Sequence, residues 1–191
     1  MIVKLRDAGI RVLRQKRDVL RLIEYSNDRY VETNDLVGAN IGGHMRHSLN
    51  HMQSAMMQIT SNYWNPNEHH TIEYDQRKRG TNLETKTETA LKTISETEDM
   101  LLDLVDLHMN NAETNFDLDQ ETISCTFKLD PIEAEDQTFT STAAREIAFS
   151  VHHAIHHLAM IRLILKSQGV SISELENLGV APATEEYNRT Q

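Results

Sequence analysis

Ten histidines are distributed unevenly over the 191 residues, and seven of them fall in two short windows, His44 to His51 and His152 to His157. The second window reads Val151-His152-His153-Ala154-Ile155-His156-His157 and holds two i, i+4 pairs, His152/His156 and His153/His157. On a helix such a pair stacks two imidazoles one turn apart, close enough to share one metal ion. The helical wheel separates the pairs. With His152 at zero, His153 and His157 lie at about 100° and 140°, in the company of Phe149, Met160 and Ile164. His152 and His156, at about 0° and 40°, share their sector with Arg145. His153 and His157 are therefore the expected inward pair.

The first window, Gly43-His44-Met45-Arg46-His47-Ser48-Leu49-Asn50-His51, places its three histidines within an arc of about 60° beside an apolar stripe. Any one of them can complete a facial three-His site with the inward pair. Periodicity slightly favours His44 or His51 over His47, because they lie nearer the stripe's centre, and it leaves the choice open. A single histidine beside a core is usually structural or simply exposed. Two windows on two helices together point to a metal. Three neutral imidazoles suit Zn²⁺, Ni²⁺, Fe²⁺ or Cu²⁺ far better than Mg²⁺ or Ca²⁺. Three protein donors also leave a coordination position open, the pattern of a catalytic site.

Other chemistry is thin. Cys125 has no CxxC partner and reads as a small, half-buried residue. There is no Gly-rich phosphate loop, no GxSxG elbow and no HExxH glutamate. Glu146 projects near the His153/His157 face, but about 10 Å from His153 along the axis, too far to ligate with it. Arg77, Arg79 and Glu84 can pair around a loop, the plainer reading being solvated surface pairs.

These side chains need helices to hold them. Apolar residues at helical spacing predict a first helix over Val3–Tyr30, ended by Ser26-Asn27-Asp28. A second helix is expected over Leu36–Thr60, with Asn34-Asp35 as its cap and Ile41, Met45, Leu49, Met52, Met56 and Ile59 as its stripe. Gly42-Gly43 weakens its start and suggests a close approach or a late beginning. Residues 62–80 read as a loop and Leu83–Met109 as a third helix. Thr122–Phe127 and Gln137–Ser141 alternate and are β-branched, so a small hairpin is expected. The fourth helix runs from a Ser141 cap to Gln168, with Gly169 closing it, and the residues beyond read as an extended tail. The expectation is an all-α protein, an antiparallel four-helix bundle over 1–170 with a β-hairpin before the last helix and a tail over 171–191.

Composition limits the function. The length suits one compact domain, and 3 prolines with 7 glycines favour long helices over a turn-dense sheet fold. A net charge of −10 argues against a nucleic-acid surface. One cysteine excludes a disulfide framework and fits a reducing compartment. No run of about 18 apolar residues and no apolar signal core are evident, so a cytoplasmic protein without membrane partners is expected.

Three stretches carry a resemblance. Asn40-Ile41-Gly42-Gly43-His44-Met45-Arg46-His47 resembles the opening of the second helix of the DinB-like superfamily, and Arg145 through Ile161 is similar to its last helix. Tyr74-Asp75-Gln76-Arg77-Lys78-Arg79 and Gly179-Val180-Ala181-Pro182-Ala183-Thr184 look like pieces of one subgroup. The resemblance implies a four-helix bundle holding a divalent metal through one histidine of the second helix, matching His47, and an HxxxH matching His153 and His157. It further implies thiol-cofactor-dependent transferase or isomerase chemistry, or hydrolysis, on a small-molecule substrate, with Zn or Ni the expected metal, Fe an alternative, and a low-molecular-weight thiol as cofactor. Homodimer formation is left open. Asn40 stands where the family usually has serine or threonine, and Ser48 where it has an apolar residue. The competing reading is a non-catalytic bundle in which a metal only ties helices together or a small ligand is bound.

Overall fold

The computed structural model describes the chain except residues 66–69, 77–78, 110–116, 131 and 133–134. In chain order the elements are α1 (Ile2–Leu22), α2 (Asn27–Val31), α3 (Ile41–Trp64), β1 (Thr71–Glu73), α4 (Asn82–Thr85), α5 (Thr87–Met109), β2 (Thr122–Phe127), β3 (Gln137–Thr142), α6 (Ala143–Ser167), a 3₁₀ turn (Ile172–Leu175) and α7 (Pro182–Arg189). The protein is mostly helical with one small sheet. Helix α3 packs on α6 and α5, and α1 packs on α5 and α6. The core lies between these four.

Periodicity explains the long helices. Ile41, Met45, Leu49, Met52, Met56 and Ile59 of α3 are all at most 1% exposed. Burying one such side chain contributes about 1.5–3 kcal/mol. Six together outweigh the cost of Gly42 and Gly43, about 1 kcal/mol each relative to alanine. Helix α6 is long and apolar enough by composition to cross a membrane, with a mean hydropathy of 1.2 over its window. Here that apolarity meets the core: Ala154, Leu158, Ile161, Ile164 and Leu165 are fully buried.

Several boundaries differ from the sequence expectation, each for a local reason. The first helix stops at Leu22, because Glu24 and Tyr25 turn left-handed at φ 54° and 55°. Ser26 starts α2 instead of ending α1, its Oγ accepting from Arg29 N–H. Helix α3 begins at Ile41, not Leu36. Asn40 is the cap, its Oδ1 accepting from Gly43 N–H at 2.7 Å. Asn34 instead closes a turn, accepting from the N–H groups of Leu36 and Val37. The third helix is broken at Lys86 into α4 and α5, and Leu91, Leu102 and Met109 lie exposed.

The expected loop over 62–80 contains β1, which pairs parallel to β2, while β2 and β3 run antiparallel with Cys125 opposite Phe139. Strand β3 runs straight into α6, so the cap is Thr142, not Ser141. Gly169, at φ 83°, closes α6 as expected of a glycine there. The segment beyond it is not extended. Leu175 and Leu178 are buried, and Gly179 donates to Gln15 Oε1 of α1.

A close backbone approach accounts for Gly42. A Cβ there would sit 2.0 Å from the Glu84 carbonyl oxygen and 2.8 Å from the Tyr30 ring. Tyr30 donates its hydroxyl to the Leu83 carbonyl at 2.8 Å, holding α2 and α4 together over the start of α3. Gly42→Ala should therefore destabilise the protein by at least about 2 kcal/mol, in the range of core overpacking. Gly43→Ala, where the nearest atom is the Asn40 side chain at 3.3 Å, should change stability by less than about 1 kcal/mol. Urea unfolding of the two variants beside the parent checks the contrast.

Candidate metal centre

Helices α3 and α6 bring five histidines together at their contact. His44, His47 and His51 come from α3, and His153 and His157 from α6. His51 and His157 are buried at 5% and 9% exposure, whereas His152 and His156 point to solvent. The wheel argument thus places both α6 pairs where they are found.

Nitrogens converge between the helices. His153 Nε2 is 2.9 Å from His47 Nε2 and 3.1 Å from His157 Nε2. A ring nitrogen carries at most one proton, so a nitrogen shared by two neighbours has lone pairs aimed into the same small space. Donors about 2.0–2.1 Å from one ion are about 2.9 Å apart at right angles and about 3.4 Å apart in a tetrahedron. The observed spacings fall within that range. His47, His51 and His153 also each offer a ring nitrogen, all within 4.8 Å of one another, so these three can hold a metal ion. This group holds His47 and His153 of the three residues that the resemblance singles out, with His51, which periodicity had left open, in place of His157; His157 meets the group through His153 Nε2.

Ring orientation distinguishes the members. His47, His153 and His157 stand edge-on to one another, at 63° for His47/His153, 70° for His47/His157 and 75° for His153/His157. His51 is stacked instead, 29° from the His153 plane and 18° from Tyr74, with centroids 4.4 Å and 4.7 Å away. Both of its nitrogens are buried without a hydrogen-bond partner among the described residues. Burial, followed by the neighbouring His153, pushes the His51 pKa down to about 3. Burial, followed by the surrounding histidines and Lys16, pushes that of His157 down to about 2. Both rings are thus neutral at neutral pH, the state a metal ligand needs.

Several groups around the cluster escaped sequence reasoning. Tyr74 follows β1 and reaches the site from the sheet, stacking on His51 and on Phe127. Its hydroxyl donates to Glu146 Oε2 at 2.8 Å, and Arg145 donates to Glu146 Oε1 at 2.6 Å. The fully buried Glu146 is thereby engaged as an anchor between sheet and helix. Glu84 pairs with Arg46, with Nε and Oε1 2.8 Å apart. Arg77 of the expected loop pairing lies outside the described residues. Cys125 is buried, its thiol donating to the Phe139 carbonyl.

The least expected neighbour is Lys16 of α1, which is fully buried. Its Nζ donates to Ser48 Oγ at 2.5 Å, and Ser48 in turn donates to the His44 carbonyl. Ser48 thus gives the buried amine of Lys16 an acceptor. A signal was present: Lys16 sits between Leu13 and Leu20 in the apolar stripe of α1, at helical spacing. Burial lowers its pKa to about 7.

No protein-family model, curated protein or solved structure matches this chain.

The Lys16 environment has a pH consequence. Between about pH 7, the folded value, and about 10.4, the ordinary one, the unfolded chain holds a proton that the folded chain does not. Stability from this group therefore rises with pH across that window, and below it the full cost of burying the charge applies. Lys16→Met should be more stable than the parent at pH 6, by a few kcal/mol, and the difference should shrink steadily towards pH 10. Denaturant titrations at a series of pH values measure that difference. An unchanging gap would mean that Lys16 does not titrate as described.

Proposed function

We propose that this protein is a DinB-like four-helix bundle that binds one divalent transition metal through His47, His153 and His157, and uses it as an enzyme of the thiol-transferase or hydrolase type. The carrying observation is that His153 Nε2 lies 2.9 Å from His47 Nε2 and 3.1 Å from His157 Nε2, with the three rings mutually edge-on, between α3 and α6. The bundle assignment is supported by α1, α5, α3 and α6 each packing on two of the others in a closed order. The all-imidazole donor set favours Zn²⁺ or Ni²⁺, with Fe²⁺ next. When bound, such an ion supplies Lewis acidity and lowers the pKa of a water or thiol at its open position.

The protein's own residues do the rest. His153 and His157 are held one turn apart by α6, and His47 faces them from α3, so the donor atoms are set before any ion arrives. Tyr74 and Phe149 flank His51 and His153 and keep that side of the cluster apolar. Arg145, with its guanidinium 5.1 Å from the Phe149 centroid, lines a cavity of about 600 Å³ with Phe127, Leu129 and Phe139. That cavity, one ring removed from His153, is the space for a small-molecule substrate.

One observation favours a second reading. His51 carries two buried nitrogens without partners and lies within ligand distance of His47 and His153. If it turned inward as a fourth donor, the shell would close and the metal would only tie α3 to α6.

Elemental analysis of untagged protein should find about one transition metal per chain. His47→Ala, His153→Ala or His157→Ala should each reduce this to near zero, while His152→Ala and His156→Ala should leave it unchanged. Full occupancy in the first three variants would refute the ligand assignment. Cobalt-loaded protein should then alter its visible spectrum when a small thiol is added. A spectrum unmoved by thiol, azide and cyanide would favour the closed four-histidine shell.

A further inference from the structure

His44 is the one histidine of the cluster that neither reading above uses as a ligand. Its Nδ1 lies 2.8 Å from His157 Nδ1, a hydrogen-bond distance between two groups that can each be donor or acceptor. The other side of the His157 ring settles the roles. His157 Nε2 faces His153 Nε2 and the convergence point, so a metal there takes the Nε2 lone pair. The His157 proton must then sit on Nδ1 and point at His44. A metal-ligating histidine commonly donates its remote N–H to a fixed acceptor, which sets its tautomer and its orientation. That acceptor is usually a carboxylate, a carbonyl or a water. Neither His44 nor His157 has a carboxylate hydrogen-bond partner among the described residues.

We infer that His44 is the positioning residue of the metal centre: its neutral Nδ1 accepts the Nδ1–H of His157 and fixes that ring as an Nε2 ligand. This rests on the metal reading above. The side chain is well placed for the task. It stands one turn before His47 on α3, half-buried, with its ring 5.1 Å from that of His157. Its carbonyl accepts from Ser48, which is itself held by Lys16, so the backbone under His44 is anchored to α1. The remaining His44 proton then lies on Nε2, an atom buried without a partner among the described residues. A neutral acceptor has a chemical consequence. An imidazole pulls the His157 proton less strongly than a carboxylate would, so the ligand donates less charge and the ion stays more electrophilic. The centre should therefore hold an external anion, such as a thiolate or azide, more tightly than one backed by a carboxylate.

The test uses the full-length protein with cobalt, comparing the parent with His44→Ala, His44→Gln and His44→Asp. Metal affinity is read by competition with a coloured chelator, and the ligating rings by their hyperfine-shifted proton signals. His44→Ala should keep one metal per chain but lose about 10–100-fold in affinity, the usual cost of an outer-shell partner. One exchangeable ring N–H signal should broaden through solvent exchange, while the carbon-bound ligand signals keep their number. His44→Gln, whose amide oxygen can accept, should restore both. His44→Asp should bind metal at least as well as the parent and azide more weakly. Unchanged affinity and N–H exchange in His44→Ala would overturn the inference. Loss of a whole set of carbon-bound ring signals would overturn it as well, by making His44 a ligand. A parent protein that takes up no cobalt would instead bring down the metal reading on which the inference rests.

Discussion

The contact between α3 and α6 brings five imidazoles against one another, two of them, His51 and His157, buried. Buried polar nitrogens are costly unless something satisfies them, and at this contact ring nitrogens face one another. His153 Nε2 is approached by two ring nitrogens, while His51 has two and His44 one without a partner among the described residues. A helix contact made only for stability would carry leucine or methionine at these positions, as α3 does at Met45, Leu49 and Met52. His47, His51 and His153 lie close enough together to hold a metal ion among them.

The neighbouring elements can be read as the means of holding that contact in register. Gly42 lets the Glu84 backbone lie directly on α3, and Tyr30 ties the same corner through Leu83. Asn40 caps α3 four residues before His44, so the phase of the helix is set at its first turn. On the other helix, Thr142 caps α6 where β3 ends, and Glu146 joins that first turn to Tyr74 beyond β1. The sheet is small, yet it delivers the ring that stacks on His51. Both histidine-bearing helices are thus anchored by polar contacts near their N-terminal ends, and their histidines lie within the next few turns.

Charge near the cluster is unusual as well. The buried Lys16 approaches from α1, and among the described residues the hydroxyl of Ser48 is its hydrogen-bond acceptor at ordinary range. The buried carboxylate Glu146 is already shared between Arg145 and Tyr74. A dication bound at the proposed centre, near a protonated Lys16, would favour an anionic ligand on Coulomb grounds. This links the electrostatics of the interior to the kind of substrate or cofactor such a centre accepts.

Much of this was legible in the sequence because it depends on local periodicity. The inward face of His153 and His157, the outward face of His152 and His156, the apolar stripe of α3 and the glycine closure of α6 all follow from 3.6 residues per turn. What periodicity could not decide was any relation between segments far apart in the chain. It could not choose among His44, His47 and His51, of which His47 and His51 join His153 in the group that could hold an ion, because a wheel knows only its own helix, whereas the direction of a donor atom depends on the partner helix and on the ring's rotation. It read residues 62–80 as a loop, because a three-residue strand such as β1 is stabilised by β2, which lies some fifty residues later. It ended the first helix too late and took the segment after Gly169 as extended, since the left-handed residues Glu24 and Tyr25 and the buried Leu175 and Leu178 have no periodic signature. Residue type and spacing determined that this chain has imidazoles to offer a metal. Only the packing of α1, α3, the sheet and α6 decided which nitrogens meet, which ring backs another and which lysine is buried beside them, because those are distances through space that hydrogen bonds and side-chain volume set.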